Sequence, residues 1–246
     1  MGICKVNLKL NAEVLKGEMR FKSMTENEMV KFRIAPPLDQ YGGMLFFQVL
    51  NHYKLTNPDN SEGRKIALAD LSVHGTPETG KIDYINQLIE ILKDGTSREK
   101  SIAKDLKSSR KYYCQGWLGT DTEDGKTIWS NCRLLSMPKI GAIEVQMLMQ
   151  MQEDQHEPNI ADPVNGQAIL IKLTGNFKDH NIKYRADRTG KREALDDIIP
   201  GWKEQQHQDM WAAIGLNICT REDQKRIVQF SYPELDWDKL HSEFGL

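Results

Sequence analysis

The stretch Arg110-Lys-Tyr-Tyr-Cys-Gln-Gly-Trp-Leu118 decides how the chain is read. In an extended strand, alternate side chains face opposite ways. Tyr112, Cys114, Gly116 and Leu118 then share one face, and Lys111, Tyr113, Gln115 and Trp117 share the other. The first set is small or apolar and suits a core. The second combines a cation, a phenol, an amide and an indole, a poor core and a good surface for unpaired bases. Rings stack on base faces for ~1–3 kcal/mol each, while lysine and arginine neutralise phosphates.

Strand character continues downstream in Lys126 to Leu135 (KTIWSNCRLL), joined to the first stretch through the polar Gly119–Gly125. That pattern predicts a long β-hairpin with an acidic tip, and it contributes Trp129 and Arg133 to the same surface. Pro138 suits the first turn of a helix over Ile140 to Met151, in which Met147, Met149 and Met151 are packing residues. A second hairpin is expected from Gln167–Gly175 (QAILIKLTG) and Asn181–Ala186 (NIKYRA) around residues 176–180. It offers Lys172, Phe177, Lys183, Tyr184, Arg185 and Arg188.

Upstream, Val30-Lys-Phe-Arg-Ile34 alternates apolar and basic residues and is ended by Pro36-Pro37, a strand that carries Arg33. Leu45 to Leu55 lies between the turn signals Gly42-Gly43 and Asn57–Asn60 and reads as strand. Ile66 to Val73 is a weaker strand, and Lys5 to Leu10 another at the head of an arm covering residues 1–28. Ile85, Leu88, Ile89 and Leu92 fall at helical spacing until Gly95. Ile102, Ala103 and Leu106 continue a second short helix, for which Ser97 with Lys100 lacks a full capping box. Beyond Ile199-Pro200-Gly201 the chain reads as helical, ending in a segment, Ser231 to Leu246, whose acids surround Trp237 and Phe244. We read that segment as a tail.

Five or more antiparallel strands with helices inserted in two connections make an α+β chain, mainly β. A small barrel fits better than a βαβ sheet, because no strand is followed by a Gly-rich phosphate loop. The expected division is an arm at 1–28, a core at 29–195 with a helical insertion near 81–107, and a helical, acidic region at 196–246.

The 246 residues are 39% hydrophobic and 28% charged, enough to bury a core. No apolar run reaches the ~18 residues of a membrane span, and the N-terminus has no apolar signal core. Asn7 stands where a myristoylation signal wants a hydroxyl. The four cysteines, Cys4, Cys114, Cys132 and Cys219, form no C-x-x-C pair and read as free thiols in a reducing compartment. The formal net charge of −2 hides a dipolar layout. Residues 172–192 hold seven cations and two anions, whereas residues 193–246 hold five cations and eleven anions.

Catalytic signatures are missing: no G-x-S-x-G, Walker A, H-E-x-x-H or kinase motif stands in the sequence. His52, His74, His156, His180, His207 and His241 are dispersed without metal-ligand spacing. Asp121–Asp124 reads as a solvated hairpin tip, and Asp196-Asp197 has no acidic partner motif on a strand. We therefore expect a non-enzymatic chain.

The order VKFRIAPP, LFFQVLNHYKL, a segment ending in His74-Gly75, two helices, RKYYCQGWL, a Pro-led helix and NGQAILIKLTG…NIKYRADRTGKRE resembles the tailed-phage single-stranded DNA-binding proteins of the T-even helix-destabilising type. The resemblance runs from about Val30 to Leu195. Its most specific parts are the Arg-Lys-Tyr-Tyr strand start and the block Asn165-Gly166…Lys172-Leu-Thr-Gly175…Tyr184-Arg185. It implies an OB-fold core and cooperative, largely sequence-independent binding of single-stranded DNA in phage replication, recombination and repair, inside the infected bacterium. It also implies an acidic C-terminal region that contacts replication partners and competes with DNA. Arg110, Lys111, Tyr113 and Trp117 would line the groove with Lys172, Tyr184 and Arg185.

The family also holds zinc through one histidine and three cysteines. Here His74-Gly75 matches the histidine end, but Lys81-Ile-Asp-Tyr-Ile85 stands where paired cysteines belong, so a zinc-free subdomain without cofactor is expected. The N-terminal arm also lacks the densely basic cooperativity motif. Two other readings stay open: an interaction or recombination accessory module that binds no DNA, and a single-strand nuclease dependent on a metal.

Overall fold

The computed structural model of the chain describes residues 18–20, 29–60, 62–175 and 183–245. The expected strand at Lys5–Leu10, Phe177 and the turn at 176–180 lie outside them. In chain order the first elements are β1 (Glu18–Arg20), β2 (Met29–Ile34), β3 (Phe47–Thr56), β4 (Lys65–Ala69), α1 (Leu71–His74), α2 (Tyr84–Leu92) and α3 (Ser97–Leu106). There follow β5 (Ser109–Asp121), β6 (Thr127–Trp129), β7 (Arg133–Pro138), α4 (Lys139–Asp154), β8 (Gln167–Thr174) and β9 (Lys183–Arg192). The last are the short helices α5 (Leu195–Ile198), α6 (Trp202–Gln205) and α7 (Met210–Ile214), then α8 (Arg221–Ser231) and α9 (Trp237–Phe244).

The chain divides into two compact units, each built from separated segments. Among the described residues, one joins Val49–Arg110 to those from Leu216 onward; the other joins those up to Gln48 to Lys111–Gly215. The second unit is a mostly antiparallel sheet in the order β1-β7-β5-β2-β8-β9, with β6 paired to β5. Among the strand pairs with a described register, β1 with β7 is the parallel one. Among the described strands β1 and β9 do not pair, so the sheet is open where a closed five-stranded barrel was expected. The fold is mixed α+β.

Alternation sets the faces of this sheet. Phe32, Ile34, Cys114, Leu135, Ile169, Ile171 and Tyr184 point to one side, where they meet Ala142, Val145 and Leu148 of α4. That helix starts directly after Pro138, whose missing N–H costs nothing at this position. Its partner-facing residues Gly141, Ala142, Val145, Leu148 and Gln152 are buried at helical spacing. The predicted second strand of the first hairpin is broken at residues 130–132. Its two pieces, β6 and β7, both pair with the 13-residue β5.

The first unit is a β3–β4 hairpin covered by helices. Leu55, Ile66 and Leu68 pack against Tyr84, Ile85, Leu88 and Leu92 of α2, Ile102 and Leu106 of α3, and Ile227 and Val228 of α8. His52 and Leu55 are both buried, although strict alternation would put them on opposite faces. A bulge between them, with Lys54 at φ 63°, resets the strand so that both point inward.

Helix starts follow from side-chain caps. Asp70 ends β4 at Ala69, four residues short of the expected Val73, by accepting the Ser72 N–H and starting α1. Asp83 caps α2. The α3 capping box is complete but sits one residue earlier than expected, with Thr96 and Glu99 as partners. Tyr232, Leu235 and Leu240 are buried in the core of the first unit, so the terminal segment is a packed closing helix and not a tail. No helix is long and apolar enough to cross a membrane among the described residues.

Candidate nucleic-acid interface

The two faces of β5 alternate as the sequence predicts, but the face of Tyr113, Gln115 and Trp117 is covered. After β9 the chain doubles back, and Leu195, Ile199 and Trp202 pack with Ala35 on Trp117. Trp117 is 0% exposed, and its indole N–H donates to Gln205 Oε1 at 2.9 Å. The buried Gln115 amide accepts the His207 N–H at 2.8 Å. Trp129 lies partly buried against the same cluster. The expected wall of stacking rings is therefore an internal layer, because a segment some eighty residues downstream in sequence covers it.

Tyr184 is buried for a different reason. It alternates onto the α4 side of β9, joins the main core, and has its phenol pKa raised by burial. Tyr113 is buried too.

Arg33 is the sharpest correction. It stands opposite Trp117 in the β2–β5 register and is 0% exposed. Its guanidinium donates to Ile160 O and, at 2.6 Å, to Asp162 O, so it ties down the loop before β8. Burial lowers its pKa to about 10. Gly166 is required beside it, since a methyl there would sit 2.5 Å from both Arg33 Nη2 and Ile160 O.

The basic stretch divides into engaged and presented cations. Arg188 and Arg192 both pair with Glu157, the latter at 2.9 Å, and Arg192 also donates to Asn165 O. Lys191 pairs with Glu193 at 2.5 Å. Glu157 was not singled out in the sequence; nothing local marks it, because its partners lie 31 and 35 residues away.

Lys172, Lys183 and Arg185 remain together on the face of the β8–β9 hairpin opposite the buried Ile171 and Tyr184. Lys183 and Arg185 are exposed and Lys172 is half-buried. Lys172 stands directly across from Arg185, and Thr174 across from Lys183. On its other side Lys172 neighbours Met29, which is 61% exposed. Like charges directly opposite on a sheet cost stability, by up to ~1 kcal/mol. Asp187, across from Leu170, offsets part of this.

Of the other expected contacts, Arg133 is exposed at the start of β7 and Lys111 is half-buried on β5. Arg110 is exposed but belongs to the first unit. The acids Asp121 and Asp196 have local partners. Asp121 accepts from Lys31 Nζ at 2.6 Å and from Thr127 Oγ1 at 2.6 Å, which lowers its pKa. Asp196 accepts from the Trp202 indole at 2.9 Å. His74 accepts the Leu50 N–H at 3.0 Å. No family model matches the chain, and no curated protein sequence matches it.

Proposed function

We propose that the protein binds single-stranded DNA with little dependence on sequence, serving phage DNA replication, recombination and repair without catalysis. Phosphates are neutralised by Lys172, Lys183 and Arg185 on the exposed hairpin face, with Met29 beside them as an apolar contact for a base or sugar. The open sheet is, in this reading, the counterpart of the OB-type binding sheet implied by the sequence resemblance. Stacking by Tyr113, Trp117 and Tyr184 is not part of it.

The observation that carries it is the Lys172–Arg185 pair. Two cations placed directly opposite, with a third nearby, disfavour the free protein and are relieved by a polyanion.

The test is fluorescence anisotropy with a labelled oligo-dT of about 30 nucleotides across a salt series. Three phosphate contacts give a log–log slope of about −2, hence an affinity loss of about 16-fold between 50 and 200 mM salt. Charge reversal of Lys172, Lys183 and Arg185 to Glu should weaken binding at least about tenfold with an unchanged melting curve. Salt-independent binding, duplex bound as tightly as single strand, or an unaffected triple variant would each refute the assignment.

A second reading, an interaction module, has its own observation. Ile140, Ile143, Met147 and Met151 form an exposed apolar stripe on α4, separate from the face that α4 buries. Absence of any oligo-dT binding would favour it.

A further inference from the structure

We infer that His52, Asp70 and Asp83 form a divalent transition-metal site inside the first unit. The three come from β3, the residue that follows β4 and the residue before α2, and all are buried, His52 completely. Their ligand atoms lie within 4.8 Å of one another.

The protonation of the imidazole follows from its partners. His52 Nδ1 is 2.7 Å from Leu106 O, and a carbonyl oxygen only accepts, so Nδ1 carries the hydrogen. Nε2 of the neutral ring is then a bare lone pair, buried and without a hydrogen-bond partner. It faces Asp83 Oδ1 at 3.4 Å and Asp70 Oδ2 at 3.8 Å. Three acceptors converge on one point, which is unfavourable unless a cation lies between them.

Both carboxylates are held in place from behind. Asp83 accepts from the Leu71 N–H at 2.7 Å, Gln224 Nε2 at 2.8 Å and the Asn86 N–H at 2.8 Å. Asp70 Oδ1 accepts from the Ser72 N–H and hydroxyl and from Asn86 Nδ2. A ring N–H on a carbonyl and donors behind each carboxylate are the outer-shell pattern of metal ligands.

Two arguments favour a metal over a proton at Nε2. A protonated ring beside two carboxylates leaves one negative charge buried, whereas a divalent ion with a neutral ring leaves none. The spacing also suits an ion. At ~2.1 Å from each atom it would see the two nitrogen–oxygen pairs at about 110° and about 130°, while both separations exceed an ordinary N–H···O bond. One imidazole with two carboxylates selects zinc, manganese or a similar ion over magnesium or calcium. The zinc-free expectation concerned thiolates; these ligands are nitrogen and oxygen.

The test uses the full, tag-free chain. After desalting, elemental analysis should find about one equivalent of transition metal. After chelation, Zn²⁺ at about 100 times its Kd should raise the melting temperature by roughly 5–10 °C. Co²⁺ added to the stripped protein should give visible d–d bands, displaced by Zn²⁺. Asp70→Asn, which keeps the Oδ1 acceptor for the α1 cap, should abolish both the bands and the Zn²⁺ increment. His52→Gln should do the same. If the wild-type chain is metal-free, shows no cobalt spectrum and melts identically with Zn²⁺, Mn²⁺ or chelator, a proton holds the triad and the inference is overturned. Retention of the cobalt bands by both variants would place the metal elsewhere and overturn it equally.

Discussion

Replacing Trp117 by alanine separates a buried layer from a binding wall. The side chain is fully buried among Ala35, Leu195, Ile199 and Trp202, with its N–H on Gln205. Truncating a large buried aromatic costs ~3–5 kcal/mol, from lost transfer energy and the cavity left behind. At about 2–4 °C per kcal/mol for a chain of this size, the melting temperature should fall by about 6–20 °C. Trp117→Phe keeps most of the volume and loses one hydrogen bond, a cost of about 0.5–1.5 kcal/mol plus a small packing term. Thermal melts by circular dichroism, run beside oligo-dT anisotropy well below the melting point, measure both consequences. Stability should drop in the order wild type, Phe, Ala, with binding per folded molecule unchanged. If the alanine variant melts within about 2 °C of wild type and binds DNA weakly, the indole is a surface platform and the covered-face assignment fails.

Arg33→Met should lower the urea midpoint by the equivalent of about 1–3 kcal/mol, because the carbonyls of Ile160 and Asp162 lose their donors; unchanged stability would show that the loop holds without it. Gly166→Ala should cost about 1–3 kcal/mol through collision with Ile160 O and Arg33 Nη2, and a neutral effect in the same titration would contradict the close approach. Burial pushes the Cys132 thiol up to about 12, and Cys114 is raised as well. In a Cys4→Ser background, reaction with a disulfide reagent at pH 8 should therefore be at least about a hundredfold slower for native than for urea-unfolded protein. A rapid phase of one equivalent in the native state would place Cys132 at the surface.

Sequence reading succeeded where the physics is local. The alternation of Val30–Ile34 and Arg110–Leu118 located β2 and β5, the hairpin expected from Gln167–Gly175 located β8, and Ile85, Leu88 and Leu92 marked the buried face of α2. Pro138 located the start of α4. It failed where a distant segment decides the outcome. The polar and aromatic face of β5 was correctly grouped, but whether it meets water depends on residues 195–207, which no window around Trp117 contains. The same limit explains Arg33, whose partners are 127 and 129 residues away, and the terminal segment, whose acids suggested a tail while Leu235 and Leu240 bury themselves in the core of the first unit. His52 had a faint local sign, a lone histidine in an apolar strand. The aspartates before two helix starts, Asp70 and Asp83, carry no local sign that they are neighbours of that ring.

The interleaving of the two units constrains how the molecule is made. The core of the first unit needs Ile227 and Val228 as well as Leu55 and Leu88. A ribosome emitting residues 49–110 delivers only part of that interior, and the missing part emerges more than a hundred residues later. Until then the nascent hairpin and its helices keep apolar surface uncovered, a condition in which chains are prone to associate wrongly. The second unit faces a milder form of the problem, because β2 must wait for β5 and β8. A stop codon at position 216 should accordingly leave a product that depends on chaperones or precipitates.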